Sequence, residues 1–127
     1  MDSCLRFDLE HNFWDTLPSL KQARDRSGSC CLDGFLYVFC GTTNQDKYLK
    51  SIERLQLFDS WDEQRLQAWQ LLSGCYTPLN FTRRESPVVC PLNSTQILVI
   101  GGDDGSRKLT NDAFIFSTAN WKIEKVA

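Results

Sequence analysis

Gln96-Ile97-Leu98-Val99-Ile100-Gly101-Gly102 is a run of aliphatic residues closed by two glycines. An offset of 61 residues, from Gly102 back to Gly41, leads to Gly34-Phe35-Leu36-Tyr37-Val38-Phe39-Cys40-Gly41, an aromatic and aliphatic run closed by Cys-Gly. Both are rich in residues that suit a pleated, buried surface, and both have strand length. A short strand of small residues precedes each: Ser27-Gly28-Ser29-Cys30-Cys31-Leu32 in one copy, Ser86-Pro87-Val88-Val89-Cys90-Pro91-Leu92 in the other. Asp33-Gly34 joins the first pair as a two-residue hairpin turn. Asn93-Ser94-Thr95 takes the matching place in the second copy, in a longer loop. Ahead of each pair stands an arginine site, Arg24 or Arg26 in one copy and Arg83-Arg84 in the other. The same order of elements occurring twice makes this a repeat protein.

A further element occurs three times. Phe7-Asp8 leads through a polar turn to Trp14, Leu57-Phe58-Asp59 leads to Trp69, and Ile115-Phe116-Ser117 leads to Trp121. Each reads as a strand ending, a turn, and a tryptophan opening the next strand. The stretch Leu49-Lys50-Ser51-Ile52-Glu53-Arg54-Leu55-Gln56-Leu57-Phe58 is ambiguous, because apolar residues at 49, 52 and 55 also suit a helix. Its counterpart Asp112-Ala113-Phe114-Ile115-Phe116 is short, aromatic and β-branched, which favours a strand in both. Residues 60–68 lengthen the turn before Trp69 and are expected to hold a helical turn.

Four strands per unit of about 50 residues, a double glycine after the second strand and a tryptophan opening the fourth resemble kelch repeats. Gly101-Gly102 resembles the double glycine of that family, and Cys40-Gly41 is the same site with one glycine replaced. The resemblance implies an all-β partial β-propeller of two complete four-stranded antiparallel blades and one two-stranded partial blade. Residues 1–23 would be the partial blade, holding the third and fourth strands. Residues 24–74 would be one blade, 75–81 a linker and 82–127 the other blade. The resemblance also assigns structural roles to Trp14, Arg24, Gly41, Trp69, Arg84, Gly101, Gly102 and Trp121. Tryptophans would pack between blades, with Trp14 the least buried. Each arginine would bond the backbone of the next blade.

Composition limits the function classes. The chain of 127 residues is 42% hydrophobic and 24% charged, as expected of a packed protein, and its net charge of -2 gives no reason to expect nucleic acid or an anionic membrane. The longest clean apolar run, residues 97–100, is far too short to span a bilayer. Met1-Asp2-Ser3-Cys4-Leu5-Arg6 does not read as a signal peptide. The six cysteines contain no C-x-x-C pair, and without a secretory signal reduced thiols and a cytoplasmic location are expected. Asn80-Phe81-Thr82 and Asn93-Ser94-Thr95 match a glycosylation pattern that such a location leaves idle.

Little catalytic chemistry is legible. His11 is the single histidine and sits in a turn, so a Ser-His-Asp triad or a histidine-based metal site would depend on it alone. Asp103-Asp104-Gly105 lacks the later ligands of a calcium loop. No cofactor and no metal is expected. The expected function is a non-enzymatic protein-interaction scaffold, with the alternative of a propeller enzyme whose active site lies mostly in other blades. The candidate partner-binding residues lie in the loops joining second and third strands: Gln45, Asp46, Lys47 and Tyr48, and Asp103, Asp104, Arg107 and Lys108. Tyr48 is expected to be exposed. Two and a half blades cannot close a ring, so a fragment of a larger propeller is the favoured expectation, with a truncated product or self-association through open blade faces as the alternatives.

Overall fold

A computed structural model describes residues 3–43, 45, 47–72, 84–103 and 111–126. Three antiparallel sheets follow one another along the chain. The first pairs β1 (Cys4–Asp8) with β2 (Phe13–Leu17). The second has β3 (Gly28–Leu32), β4 (Phe35–Thr42), β5 (Tyr48–Gln56) and β6 (Gln70–Leu71) side by side in chain order. The third repeats that order with β7 (Val88–Asn93), β8 (Gln96–Ile100), β9 (Ala113–Ser117) and β10 (Ile123–Lys125). The ten strands among the described residues match the expected count and grouping. The ambiguous stretch around residues 49–58 is a strand over most of its length. The expected linker at 75–81 lies outside the described residues.

Turn chemistry accounts for the connections. Asp33 and Gly34 both have positive φ, 50° and 79°, which fits the mirror-image turn that matches strand twist. The corresponding connection in the third sheet is tighter than the sequence suggests. Asn93 pairs with Gln96 across Ser94-Thr95, and the extra residue is absorbed as a bulge between Pro91 and Asn93 rather than as a longer loop. Asn93 Oδ1 accepts the Thr95 amide at 3.0 Å and fixes the turn.

The inserted residues between β5 and β6 form one short helix, α1 (Trp61–Arg65). Ser60 caps it by accepting the Glu63 amide, and Glu63 stands at the third helical position, a capping-box pairing of residue types. Gln64 is buried and does the work of a missing strand partner. Its Oε1 accepts the Phe58 amide at 2.8 Å and its Nε2 donates to the Gln56 carbonyl at 3.0 Å. Arg6 of β1 lies over the Trp61 ring at 3.8 Å and Arg65 pairs with Asp15 of β2 at 3.0 Å, so the insertion also fastens the first sheet to the second.

The sheets pack face to face. One face of the second sheet puts Leu36, Val38, Leu55 and Trp69 against Leu17, Leu20 and Cys4. The other face puts Tyr37, Phe39 and Ile52, with Leu72, against Ile97, Val99, Phe114, Phe116 and Ile123 of the third sheet. Alternation along β4 supplies both layers, which is why Phe35 to Phe39 reads as one continuous apolar run. Cys30 is half-buried and Cys31 exposed, as their opposite directions along β3 require.

Register corrects one assignment. Phe7 pairs with Trp14, and Phe116 pairs with Ile123. In the second sheet Leu36 pairs with Leu55 as Ile97 pairs with Phe116, and the β5–β6 ladder carried one residue past Arg54–Gln70 sets Leu55 beside Trp69. Trp14, Trp69 and Ile123 are therefore equivalent, and Trp121 is not. Trp121 occupies the left-handed turn position, φ 58°, which Asn12 holds at φ 59° in the first sheet. It is half-buried and stacks on Phe116 at 5.8 Å. Trp69 is fully buried, and its indole nitrogen donates to the Pro18 carbonyl at 2.7 Å, whereas Trp14 is 65% exposed.

Candidate functional site

The backbone after β4 and after β8 sets the geometry of one end of the stacked sheets. Cys40 and Gly41 have φ of 62° and 99°, and Gly101 and Gly102 have 65° and 100°. The two turns thus share their φ angles although cysteine has replaced the first glycine. The second glycine is required by space as well as by φ. A Cβ on Gly41 would lie 2.5 Å from the Asp25 carbonyl oxygen, and one on Gly102 would lie 2.7 Å from that of Glu85. Asp25 forms an isolated bridge with Thr42, and Glu85 forms one with Asp103. The chain reaching each first strand is thereby clamped to the turn that leaves the second strand.

Arginine anchors lie beneath these turns. Arg24 is buried and pairs with Glu53 at 2.7 Å, and both side chains are cut off from solvent. It also donates to the Cys40 carbonyl at 2.9 Å and the Ser51 carbonyl at 3.1 Å. Glu53 accepts the Lys21 and Gln22 amides at 2.6 and 3.2 Å. Arg84 is buried in the same way, donating to the Gly101 carbonyl and to Asp112 Oδ1, each at 3.0 Å, and lying 5.3 Å from the Phe114 ring. Among the described residues both guanidinium groups donate within their own sheet, where the kelch resemblance implied bonds to the next blade. The link between sheets is made by backbone instead. Gly41 donates to the Arg84 carbonyl at 2.8 Å, Arg84 donates to the Leu49 carbonyl at 2.9 Å, and Ser86 donates to the Arg26 carbonyl at 2.6 Å.

Above this scaffold three side chains meet across the boundary between the second and third sheets. Arg26 Nη1 is 3.1 Å from Glu85 Oε2, and the Tyr48 hydroxyl donates to Glu85 Oε1 at 3.4 Å. Arg26 is 68% exposed while Glu85 is 12% exposed, so the guanidinium is presented outward on a carboxylate held from below. Hydrogen bonding to Glu85, then its charge, raises the Arg26 pKa. Burial, then the charges of Asp103 and Glu85, raises the pKa of Tyr48, so the phenol stays protonated and remains a donor. Thr43 closes the adjoining loop by accepting the Gln45 and Lys47 amides at 3.3 and 3.2 Å.

Of the residues singled out for partner binding, Gln45 and Lys47 are exposed beside this cluster, and Asp103 is half-buried within it. Tyr48 is half-buried and hydrogen-bonded, which corrects the expectation of an exposed aromatic. Asp46, Asp104, Arg107 and Lys108 lie outside the described residues. Sequence reasoning missed Arg26 as a surface group and missed Glu85 altogether. The pairing of Asp25 with Thr42 and of Glu85 with Asp103 brings them together, and no local motif announces it.

The remaining reactive groups lie elsewhere. His11 pairs with Asp8 Oδ2 at 3.1 Å in the exposed turn between β1 and β2. Burial pushes the Cys30 thiol up to about 11 and the Cys40 thiol to about 12, so both stay protonated at neutral pH and are poor nucleophiles. Among the described residues no group of three or more His, Cys, Asp or Glu side chains is placed to hold a metal ion. None of the helices described is long and apolar enough to cross a membrane. No protein-family model matches the chain, and no curated protein matches it significantly.

Proposed function

We propose that the chain is a kelch-type partial propeller acting as a non-enzymatic protein-binding module in the cytoplasm, and that its binding face is the end carrying Arg26, Lys47, Tyr48 and Glu85. The observation that carries this reading is the Arg26–Glu85–Tyr48 cluster, which joins loops of two sheets at 3.1 and 3.4 Å. Such a cluster presents a cation, a phenol and a carboxylate at fixed spacing on a rigid base. Polar, ordered surfaces of this kind suit protein partners, in which arginine and tyrosine anchors supply much of the binding energy. Free thiols at all five cysteines among the described residues fit a reducing compartment.

Site-specific photo-crosslinking in cells tests the reading. A crosslinker at Lys47 is expected to trap a discrete protein adduct, and the adduct is expected to be lost on adding Arg26→Glu. A crosslinker at Asn120, beyond the other end of β9, is the control and is expected to trap no such adduct. Equal labelling from both positions, or no Arg26-dependent adduct at Lys47, would remove the proposed face.

A further inference from the structure

The contact between the second and third sheets has two distinct halves. The second sheet contributes Tyr37, Phe39 and Ile52, with Leu72, and the third contributes Phe116 and Ile123 among others. Phe116 meets Tyr37 at 6.2 Å and Phe39 at 5.6 Å between ring centres, both edge-on. Register identifies the same positions on the two outermost faces. On the outward face of the third sheet, Leu98 and Ile100 stand where Tyr37 and Phe39 stand in the second, and Ala113 opposite Ile100 stands where Ile52 stands opposite Phe39. Val126 donates to the Ala113 carbonyl at 2.9 Å as Leu72 donates to that of Ile52 at 2.9 Å, so Val126 corresponds to Leu72. On the outward face of the first sheet, Phe7 and Trp14 hold the positions of Phe116 and Ile123.

The first sheet therefore shows outward one half of the internal contact, and the third sheet shows outward the other half. Both halves are apolar and open. Trp14 is 65% exposed and lies 5.0 Å from Phe7, while Ile100 and Val126 are 37% and 41% exposed. The halves differ from each other, so a two-fold dimer would set one half against its own copy, whereas a head-to-tail contact would join unlike halves and reproduce the packing already present inside the chain. Arg54, which covers Phe35 and Trp121 at the internal contact, is replaced on the outward face by Ile115, its neighbour in the β8–β9 ladder being Leu98. Glu124, opposite Ile115 on this face and paired with Lys122 at 2.8 Å, bounds the apolar patch on one side.

We infer that the occupant of each outward face is a second copy of this chain, with Phe7 and Trp14 of one copy seated over Leu98, Ile100 and Val126 of the next. The contact is heterologous, and the assembly grows head to tail.

Sedimentation velocity over a concentration series, with three variants, tests the inference. The wild-type chain is expected to sediment faster as concentration rises. Trp14→Glu removes one half, Ile100→Glu removes the other, and Val126→Glu weakens the second half from a position whose loss leaves the fold in place. Trp14→Glu and Ile100→Glu are each expected to be monomeric alone, and Val126→Glu is expected to weaken association at least tenfold. A mixture of Trp14→Glu with Ile100→Glu is expected to yield a species of twice the monomer mass and nothing larger. If Ile100→Glu fails to fold, Val126→Glu takes its place in the mixture. A wild-type monomer at every concentration overturns the inference and leaves the faces to other chains. Association unchanged in Trp14→Glu, or a mixture that stays monomeric, also overturns it.

Discussion

Ile123 stands opposite Phe116 in the register position that Trp14 holds opposite Phe7. The tryptophan nearest in sequence, Trp121, has moved to the turn and covers Phe116 from outside. Trp14, Trp69 and Trp121 should therefore respond unequally to truncation. Trp69→Ala, at a fully buried site with a satisfied indole, is expected to cost about 3–5 kcal/mol. Trp14→Ala, at an exposed site, is expected to cost about 1 kcal/mol or less. Denaturant melts of Trp69→Ala, Trp14→Ala and Trp121→Ala check the order, with Trp121→Ala between the other two. Equal losses for Trp69 and Trp121 would restore their equivalence.

The Arg24–Glu53 pair predicts a second asymmetry. Removing one partner leaves a buried charge uncompensated, and Glu53→Ala is expected to cost about 3–5 kcal/mol. Part of that loss should return in Arg24→Met/Glu53→Leu, because the uncompensated charge is gone. In the third sheet Phe114 takes the register position of Glu53, and the buried Arg84 is paired with Asp112 instead. Urea midpoints of the single and double variants report it. A double variant weaker than Glu53→Ala would contradict the assignment of the cost to the stranded charge.

Positive φ angles make a third pair of predictions. Ser86 is exposed at φ 52°, and Ser86→Gly is expected to gain up to about 1 kcal/mol by relieving the left-handed conformation. Gly102→Ala meets both an unfavourable φ of 100° and the Glu85 carbonyl, and is expected to cost at least about 1–3 kcal/mol. Thermal melting of the two variants should move in opposite directions.

Asp8 supplies the pH dependence. Hydrogen bonds from the His11 backbone, and then from its side chain, lower its pKa from 3.8 to about 2. A carboxylate depressed on folding contributes stability that is present above its unfolded pKa and is lost as pH falls through the folded value. The contribution should therefore be intact above about pH 4 and fade towards pH 2. Carboxyl chemical shifts of Asp8 should titrate with a midpoint near 2 in the folded chain. Asp8→Asn should weaken this acid-dependent change.

Much of the fold is legible because the repeat lies in the chain itself. The Gly101-Gly102 turn and its Cys40-Gly41 counterpart mark the second strands, and Asp33-Gly34 marks a hairpin. Alternation also separates the two faces of β4. Register is less legible where side-chain chemistry is exchanged. Nothing in Trp121-Lys122-Ile123 says that the smaller residue takes the core position, because both are apolar and only the left-handed turn at Trp121 decides. The candidate face was half legible. Tyr48 and the loop around Lys47 are found from composition, but the arrival of Glu85 beneath Arg26 depends on pairing between residues 59 apart. Pairings over such distances have no local signature.

The central claim is that the Arg26–Glu85–Tyr48 face is held rigid by the bonds between the second and third sheets. Amide hydrogen exchange at Gly41 and Arg84 tests it most directly, because these two amides bridge the sheets. Both are expected to exchange only through global unfolding, with the free energy of the β4 and β8 amides. Exchange of Gly41 and Arg84 at the rate of the exposed Lys47 loop, with β4 and β8 still protected, would contradict the account.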